Sequence, residues 1–125
     1  MKSYTYARKR RAILNAYSDC QDDNENDRNL DYFCNYAFTI DEAQEILKDS
    51  IPNGYNEFSY TNLEAIKVFC GDDSLIYIAR ENSVCIYIKT IETFGIGELL
   101  RFREKIKADE VHIDFKLGLI RVWFD

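Results

Sequence analysis

Two short segments, Ser74-Leu-Ile-Tyr-Ile-Ala-Arg80 and Ser83-Val-Cys-Ile-Tyr-Ile-Lys89, decide the fold of this chain. Both are rich in β-branched and aromatic residues, which favour strands, and the polar pair Glu81-Asn82 between them suits a tight turn. A two-residue turn at that point pairs Tyr77 with Ile86 in an antiparallel hairpin. Because both faces of this hairpin are apolar, we expect other parts of the molecule to cover each of them.

The C-terminal end of the chain predicts a second hairpin. Residues 110–115 and 119–124 alternate between polar and apolar with period two, and Leu117-Gly118 between them fits a two-residue turn. The pairing that follows places Phe115 opposite Ile120 on the buried face of the sheet. The two hairpins supply four strands, and the segment that connects them is predicted to be helical.

Helical patterns occupy most of the remaining chain. Residues 4–18 carry an apolar stripe at helical spacing. Thr39-Ile-Asp-Glu42 and Thr61-Asn-Leu-Glu64 match the capping box, in which a threonine and a glutamate satisfy each other's backbone amides at a helix start. Residues 96–107 show a broad apolar stripe, and Gly71 is a natural end for the helix that begins near Thr61.

These elements predict a single α+β domain over residues 1–125. Its parts are a basic helix at 1–18, an acidic loop at 19–31, two capped helices at 39–71 and a ββαββ unit at 74–124. We expect the strands of that unit to form one mainly antiparallel sheet, with helices packed on at least one of its faces. The aromatic stretch 32–38 fits a short strand or a helical turn equally well.

The composition is that of an ordinary globular protein, with 46% hydrophobic and 30% charged residues. No apolar run approaches the roughly 20 residues of a membrane span, and no apolar segment follows the first residues as in a secretory signal, so we expect a cytoplasmic protein without membrane contact. Four cysteines and one histidine show no closely spaced ligand pair, which predicts reduced thiols and neither a metal site nor a cofactor. We expect Cys70 and Cys85 in the core, and Cys20 and Cys34 in more exposed positions.

Charge is strongly segregated along the chain. Residues 1–18 carry a net charge of +5, residues 19–66 carry −10 and residues 67–125 carry −1, which together give the net charge of −6. The stretch from 19 to 31 is rich in aspartate and asparagine, which favour loops. Such asymmetry in a small chain indicates that at least one face meets a charged partner.

One group of side chains has the composition of an active site. The C-terminal hairpin places His112, Asp114, Arg121 and Trp123 on one face, where His112 could act as a general base oriented by Asp114. The same pairing sets Asp114 opposite Arg121 and His112 opposite Trp123, which is equally the pattern of an ion pair beside a stacked imidazole. We favour this structural explanation, because Arg121 engages Asp114 and no nucleophilic serine or cysteine stands at a matching position. A small enzyme with a His112/Asp114 site is kept as an alternative.

The acidic stretch is the main candidate for a binding surface. Clustered carboxylates can imitate the phosphates of a nucleic acid and occupy a basic groove, and tyrosine supplies anchoring contacts. The sequence therefore predicts a small non-enzymatic inhibitor that binds a nucleic-acid-handling protein such as a nuclease. Small phage-encoded inhibitors, including many anti-CRISPR proteins, have this size and charge, although the chain matches no motif of such a family. The predicted contact residues are Asp19, Asp22, Asp23, Glu25, Asp27, Asp31 and Tyr32.

The basic helix supports an alternative function. Its four consecutive bases, Arg8, Lys9, Arg10 and Arg11, form a secondary basic patch that could contact nucleic acid phosphates directly. The acidic remainder of the chain would repel a nucleic acid, which makes direct binding the weaker hypothesis. A third arrangement pairs the two charged poles with each other, within one chain or between the copies of a homodimer.

Overall fold

The computed structural model describes residues 4–18, 31–55, 57–90 and 95–125. The helices in these ranges are α1 (Tyr4–Ile13), α2 (Ile40–Ser50), α3 (Asn62–Cys70) and α4 (Ile96–Ile106), and a π-helical turn, Leu14–Ser18, continues α1. The strands are β1 (Tyr32–Thr39), β2 (Leu75–Glu81), β3 (Ser83–Lys89), β4 (Glu110–Asp114) and β5 (Leu119–Phe124).

The strands form one antiparallel sheet in the order β1-β2-β3-β5-β4. The predicted α+β class is confirmed, and so is the ββαββ unit, because α4 connects the two hairpins. The aromatic stretch 32–38 is resolved as a strand, since it lies in β1 and pairs with β2. β1 and β4 are therefore the two edges of the sheet.

The helices pack on one face of the sheet. One core joins the helix residues Ile46, Leu63 and Phe102 to the strand residues Ile86 and Val122, all of which are fully buried. Burial of each such side chain stabilises the fold by roughly 1.5–3 kcal/mol. On the other face, the described residues that pack together are strand side chains alone. Within the described chain, helices thus cover one face of the sheet, and we call the second one the open face.

The turn between β2 and β3 is tighter than the sequence predicted. Asn82 separates the two strands in a left-handed conformation with φ of 65°. Asparagine adopts this conformation more readily than most residues. The pairing therefore moves by one residue, and the predicted partner of Tyr77 is wrong: Tyr77 lies opposite Tyr87, not Ile86.

The C-terminal hairpin has a four-residue loop, 115–118, instead of the predicted two-residue turn. The Asp114 carboxylate accepts a hydrogen bond from the Leu117 amide at 3.0 Å, and Gly118 takes the positive φ of 69° before β5. A two-residue turn of the favoured type would require positive φ at Leu117 as well, which a leucine disfavours. The pairing consequently shifts by two residues, and Phe115 is 89% exposed instead of buried.

Helix α2 begins at the first predicted capping box, which is confirmed. The Thr39 hydroxyl accepts a hydrogen bond from the Glu42 amide at 3.1 Å, and the Glu42 carboxylate accepts one from the Thr39 amide at 3.4 Å. The same carboxylate binds the Lys9 ammonium at 2.8 Å. Glu42 therefore closes the start of α2 and also ties α1 to α2.

Helix α3 does not use the second predicted capping box. Thr61 has helical dihedral angles, and its hydroxyl hydrogen-bonds with the Ser59 hydroxyl at 2.6 Å. The Asn62 side chain instead accepts a hydrogen bond from the Ser59 amide and donates one to the Ile106 carbonyl, both at 2.8 Å. A tertiary contact with α4 thus decides the start of α3. Its end at Gly71, where φ is 92°, is as predicted.

The two threonines give a matched test of these helix starts. We expect Thr39→Ala to lower the free energy of unfolding by about 1 kcal/mol, because it removes a cap that the helix uses. Thr61→Ala removes a hydroxyl that caps nothing, so its effect stays within about 0.5 kcal/mol. Urea unfolding of both variants measures the difference, and an equal loss at the two positions would contradict the assignment of the caps.

Three of the four cysteines lie in the described residues, and all three are buried. Cys70 and Cys85 are buried, as predicted. Cys34 is also buried, with 3% exposure, so its predicted exposure is wrong. The reason is that the stretch around Cys34 is a strand whose alternate side chains enter the core. Cys20 lies outside the described residues.

Candidate functional site

The predicted acidic contact surface is only partly described. Its members outside the described residues are Asp19, Asp22, Asp23, Glu25 and Asp27. Asp31 is exposed, and Tyr32 begins β1 in a half-buried position. These two residues line a pocket of about 360 Å³, whose other lining residues are Phe33, Ala79, Arg80, Glu81 and Tyr87. The end of the acidic stretch therefore lies beside the open face of the sheet.

The four residues of the predicted basic patch do not share one surface in the structure. Arg8 and Arg11 line a groove between α1 and β1. Lys9 instead pairs with Glu42 at 2.8 Å and lies over an aromatic ring of β1, so that 15% of its side chain is exposed. Arg10 is exposed outside the groove. Two of the four bases thus face one surface feature together, and Lys9 is committed to the packing of α1 on α2.

The predicted pairing around His112 is not formed. The shifted register places Asp114 opposite Leu119, and the Asp114 carboxylate caps the loop before β5. The predicted ion pair between Asp114 and Arg121 is therefore wrong. His112 is exposed and lies opposite Arg121, whose guanidinium is bound by other carboxylates. This arrangement gives no support for Asp114 as the group that orients a histidine base.

The open face carries a polar network centred on the Glu81 carboxylate. Its Oε2 atom accepts hydrogen bonds from the Cys85 thiol at 3.0 Å and from the Tyr87 hydroxyl. The Nε atom of Arg121 lies 3.3 Å from Oε1 and 3.2 Å from Oε2, and its Nη1 atom reaches Glu110 at 3.1 Å. The adjacent positions of β2, β3 and β5 bring these groups together.

Hydrogen bonds and burial together determine which groups of this network are ionised. Burial acts to raise the pKa of Glu81, but hydrogen bonds from Cys85, Tyr87 and Arg121 and the charge of Arg121 outweigh it, so the pKa lies below its usual value. Burial and the bond to Glu81 raise the pKa of the Cys85 thiol and of the Tyr87 phenol. Because the thiolate is the nucleophilic form of cysteine, Cys85 is a poor nucleophile. The network is suited to holding a surface in shape, and not to covalent chemistry.

Aromatic rings surround the network. The Phe33 ring stacks on Tyr77 with centroids 5.8 Å apart and meets Tyr87 edge-on at 5.3 Å. The Trp123 indole donates a hydrogen bond to the Glu81 carbonyl at 2.7 Å. Phe33 is 42% exposed although it is a large apolar residue. We call this set the aromatic–carboxylate face; its residues are Asp31, Phe33, Tyr77, Glu81, Tyr87, Glu110, Arg121 and Trp123.

Most residues of the aromatic–carboxylate face are not predicted as binding residues from the sequence. The sequence predicts Glu81 in a turn and Arg121 in an ion pair with Asp114, and it predicts the burial of Cys85 but not its hydrogen bond to Glu81. The available signal is the alternation of Glu81, Cys85 and Tyr87 with apolar residues, which places them on one side of a strand pair once Asn82 alone forms the turn. The sequence offers no sign that Phe33 stacks on Tyr77, because β1 is distant from β2 along the chain.

None of the helices in the described ranges is both long and apolar enough to cross a membrane. Over the same ranges, no cluster of three or more histidine, cysteine, aspartate or glutamate side chains is placed to hold a metal ion. No protein-family model matches the chain, and neither a curated protein nor a solved structure matches it.

Proposed function

We propose that this protein binds another protein through the aromatic–carboxylate face and the acidic stretch 19–31, and that it inhibits a nucleic-acid-handling partner. The observation that supports the proposal most is the exposure of Phe33, in contact with Tyr77 and Tyr87, on a face that the described helices leave open. Tyrosine, tryptophan and phenylalanine are enriched at protein interfaces, and a few well-packed residues at the centre of an interface carry most of the binding energy.

The rigidity of the face also supports the proposal. Tyr87 and Trp123 are each fixed by a hydrogen bond to Glu81, and Arg121 is fixed by two carboxylates. A surface whose side chains are already ordered loses less conformational entropy when a partner binds. Phe33 is the exposed ring of this face, Tyr77 and Trp123 are partly exposed, and the buried Tyr87 supports Phe33 from below.

Charge indicates the kind of partner. Asp31 and Glu110 are exposed, and residues 19–30 add five carboxylates and one arginine. Carboxylates in this number attract a basic surface and speed its association at low salt. A nucleic-acid-handling protein presents such a surface in its binding groove. An acidic face that occupies the groove would exclude the nucleic acid, which is the basis of the proposed inhibition.

The acidic contribution is tested by Asp22→Asn, Asp23→Asn and Asp27→Asn combined in one variant. We expect partner binding to weaken at least 10-fold, about 1.4 kcal/mol, because the variant removes three of the negative charges that are proposed to attract the basic partner. A pull-down from a nuclease-treated bacterial lysate identifies the partner, and the affinity of the purified pair is then measured. Unchanged affinity of the triple variant would refute the acidic contact.

Two further variants distinguish the effect of net charge on binding from the effect of the contact surface. Asp72→Asn, Asp73→Asn and Glu104→Gln remove the same charge from exposed positions at the far end of β2 and on α4, so we expect less than about a 2-fold change in affinity. Phe33→Ala removes the exposed ring of the aromatic–carboxylate face, and we expect it to weaken binding at least as much as the acidic triple variant. If Phe33→Ala has no effect, the partner contacts a different face.

A further inference from the structure

Strand β4 forms the edge of the sheet that lies farthest from β1. Within the described ranges it pairs with β5 alone. The carbonyl of Asp114 accepts a hydrogen bond from the Gly118 amide at 2.7 Å, so the backbone groups of Asp114 point toward β5. Because backbone groups alternate in direction along a strand, those of Val111 and Ile113 point away from β5. The outer side of β4 therefore offers backbone donors and acceptors to a further strand.

Apolar side chains at this edge are incompletely buried. Val111 and Ile113 lie on the helix side of the sheet, opposite two buried residues of β5, yet both are only half-buried. The loop that follows β4 begins with Phe115, which is 89% exposed. A strand laid along this edge would cover these three side chains, and burial of their apolar surface would stabilise the pairing.

The sequence of this edge is complementary to itself when two copies of the chain run antiparallel. Ile113 is then placed opposite Ile113 of the second copy, and the neighbouring positions pair by counting outward in both directions. The pairs are Glu110 with Lys116, Val111 with Phe115 and His112 with Asp114. Each carboxylate faces a base or an imidazole, and each apolar residue faces another apolar residue, which are combinations that stabilise a strand pair. Twofold symmetry forms each of these unlike pairs twice.

Neighbouring registers lack this complementarity. A pairing centred on His112 places Glu110 opposite Asp114, and like charges directly opposite each other destabilise a strand pair. A pairing centred on Val111 places Ile113 opposite an aspartate, which leaves an apolar side chain against a charge. The side chains of this edge therefore favour the register centred on Ile113.

We propose that β4 pairs with β4 of a second copy of this chain, with Ile113 at the twofold axis, and that the protein is a homodimer. The outward amide and carbonyl of Ile113 exchange two hydrogen bonds with the same groups of the second copy. The two five-stranded sheets become one continuous sheet. Residues that face each other across antiparallel strands share a face, so the two open faces lie on the same side of the joined sheet.

The side chains that form the proposed ion pairs are accessible in the single chain. Glu110 contacts Arg121 at 3.1 Å, but 57% of the Glu110 side chain is exposed. Lys116 and His112 are exposed as well. Ion pairs in such positions determine the register of an interface more than its affinity. The backbone hydrogen bonds and the contact of Phe115 with the second copy supply the larger share of the affinity.

The homodimer goes beyond the proposed protein-binding function and does not depend on it. The two proposals share Glu110, but the dimer uses neither Phe33 nor the acidic stretch 19–31. A dimer would present the aromatic–carboxylate face twice on one surface, which raises the avidity for a partner that has two binding grooves.

Sedimentation velocity of the full chain at increasing concentration tests the dimer. A single strand pair is a small interface, so we expect a dissociation constant on the order of 10–100 µM. Phe115→Ala removes the ring that covers Val111, and Lys116→Glu places a carboxylate opposite Glu110; each should raise the constant at least about 5-fold. The control Lys48→Glu makes the same change of charge at an exposed position of α2, and it should change the constant less than about 2-fold.

The register is tested by exchanging the two charges. The double variant Glu110→Lys with Lys116→Glu again places opposite charges across the interface, so it should bind itself more tightly than Lys116→Glu alone. Amide hydrogen exchange locates the interface: the amides of Val111 and Ile113 should exchange at least about 10-fold more slowly in concentrated than in dilute protein. A chain that stays monomeric up to about 1 mM would overturn the proposal, and so would a dimer that leaves these two amides unprotected. Failure of the exchanged charges to restore any affinity would likewise contradict this register.

Discussion

Phe124→Ala is expected to lower the free energy of unfolding by about 3–5 kcal/mol. Phe124 is fully buried near the C-terminal end of β5, and its ring lies 5.0 Å from the Phe58 ring. It also lies opposite Val84 on β3, which is the central strand of the sheet. Removal of the ring leaves a cavity between the sheet and the segment that precedes α3, where both walls are already close-packed. Urea unfolding of the purified variant measures the loss.

Phe115→Ala is the matched control, since it makes the same change in the same hairpin. Phe115 is 89% exposed in the loop between β4 and β5, so the expected loss stays within about 0.5 kcal/mol. The two-residue turn predicted from the sequence would bury Phe115 and make this loss large. The ratio of the two losses therefore tests the register of the hairpin directly, and similar losses would contradict it.

The number and type of the elements could be predicted because they depend on local patterns. The alternation in 110–124 and the capping box at Thr39 each have a local physical cause, and both are present in the structure. The aromatic stretch around Cys34 could not be decided, because a run of apolar residues is compatible with both periods. Its pairing with β2 depends on residues about 40 positions later in the chain.

The registers of the hairpins could not be predicted, because each is decided by one or two turn residues. Asn82 accepts a left-handed conformation by itself, which shortens the first turn by one residue. Asp114 captures the Leu117 amide, which lengthens the second turn by two. A shift of one residue exchanges the partners across the strands, so Glu81 moves from a turn into the network of the open face.

The ion-pair partners of charged residues could not be predicted from the sequence either. Lys9 stands within a run of bases, yet it binds Glu42, which lies 33 positions away in the sequence. Nothing local distinguishes Lys9 from Arg8 or Arg11. The packing of α1 on α2 commits Lys9 to the fold, and a run of bases in a sequence does not reveal such a commitment.

The two candidate surfaces meet at the start of β1. Tyr32 lines both the pocket beside the aromatic–carboxylate face and the groove that contains Arg8 and Arg11. Strand β1 thus stands between carboxylates on the open face and guanidinium groups on the helix side.

The second large effect is expected at the centre of the aromatic–carboxylate face. Glu81→Ala should lower the free energy of unfolding by about 2–3 kcal/mol, because the Cys85, Tyr87 and Arg121 donors lose their shared acceptor. About a third of the Glu81 side chain is exposed, so solvent weakens its attraction to Arg121, and most of the loss comes from the unpaired donors. Glu110→Ala is the control: its side chain is 57% exposed, and it contacts the same guanidinium.

The pH dependence of the free energy of unfolding shows whether Glu81 stabilises the fold through its charge or through the size and shape of its side chain. Since its pKa is lower in the folded protein than its usual value of 4.5, the ionised carboxylate stabilises the fold above that value, and the contribution is lost as pH falls through the folded pKa. Glu81→Gln keeps the size of the side chain without the charge. The difference in the free energy of unfolding between the wild-type protein and Glu81→Gln should therefore be constant above about pH 5 and decrease below it. A difference that stays constant throughout acid titration would show that the network depends on shape alone, and that Arg121 does not need the Glu81 charge to remain in place.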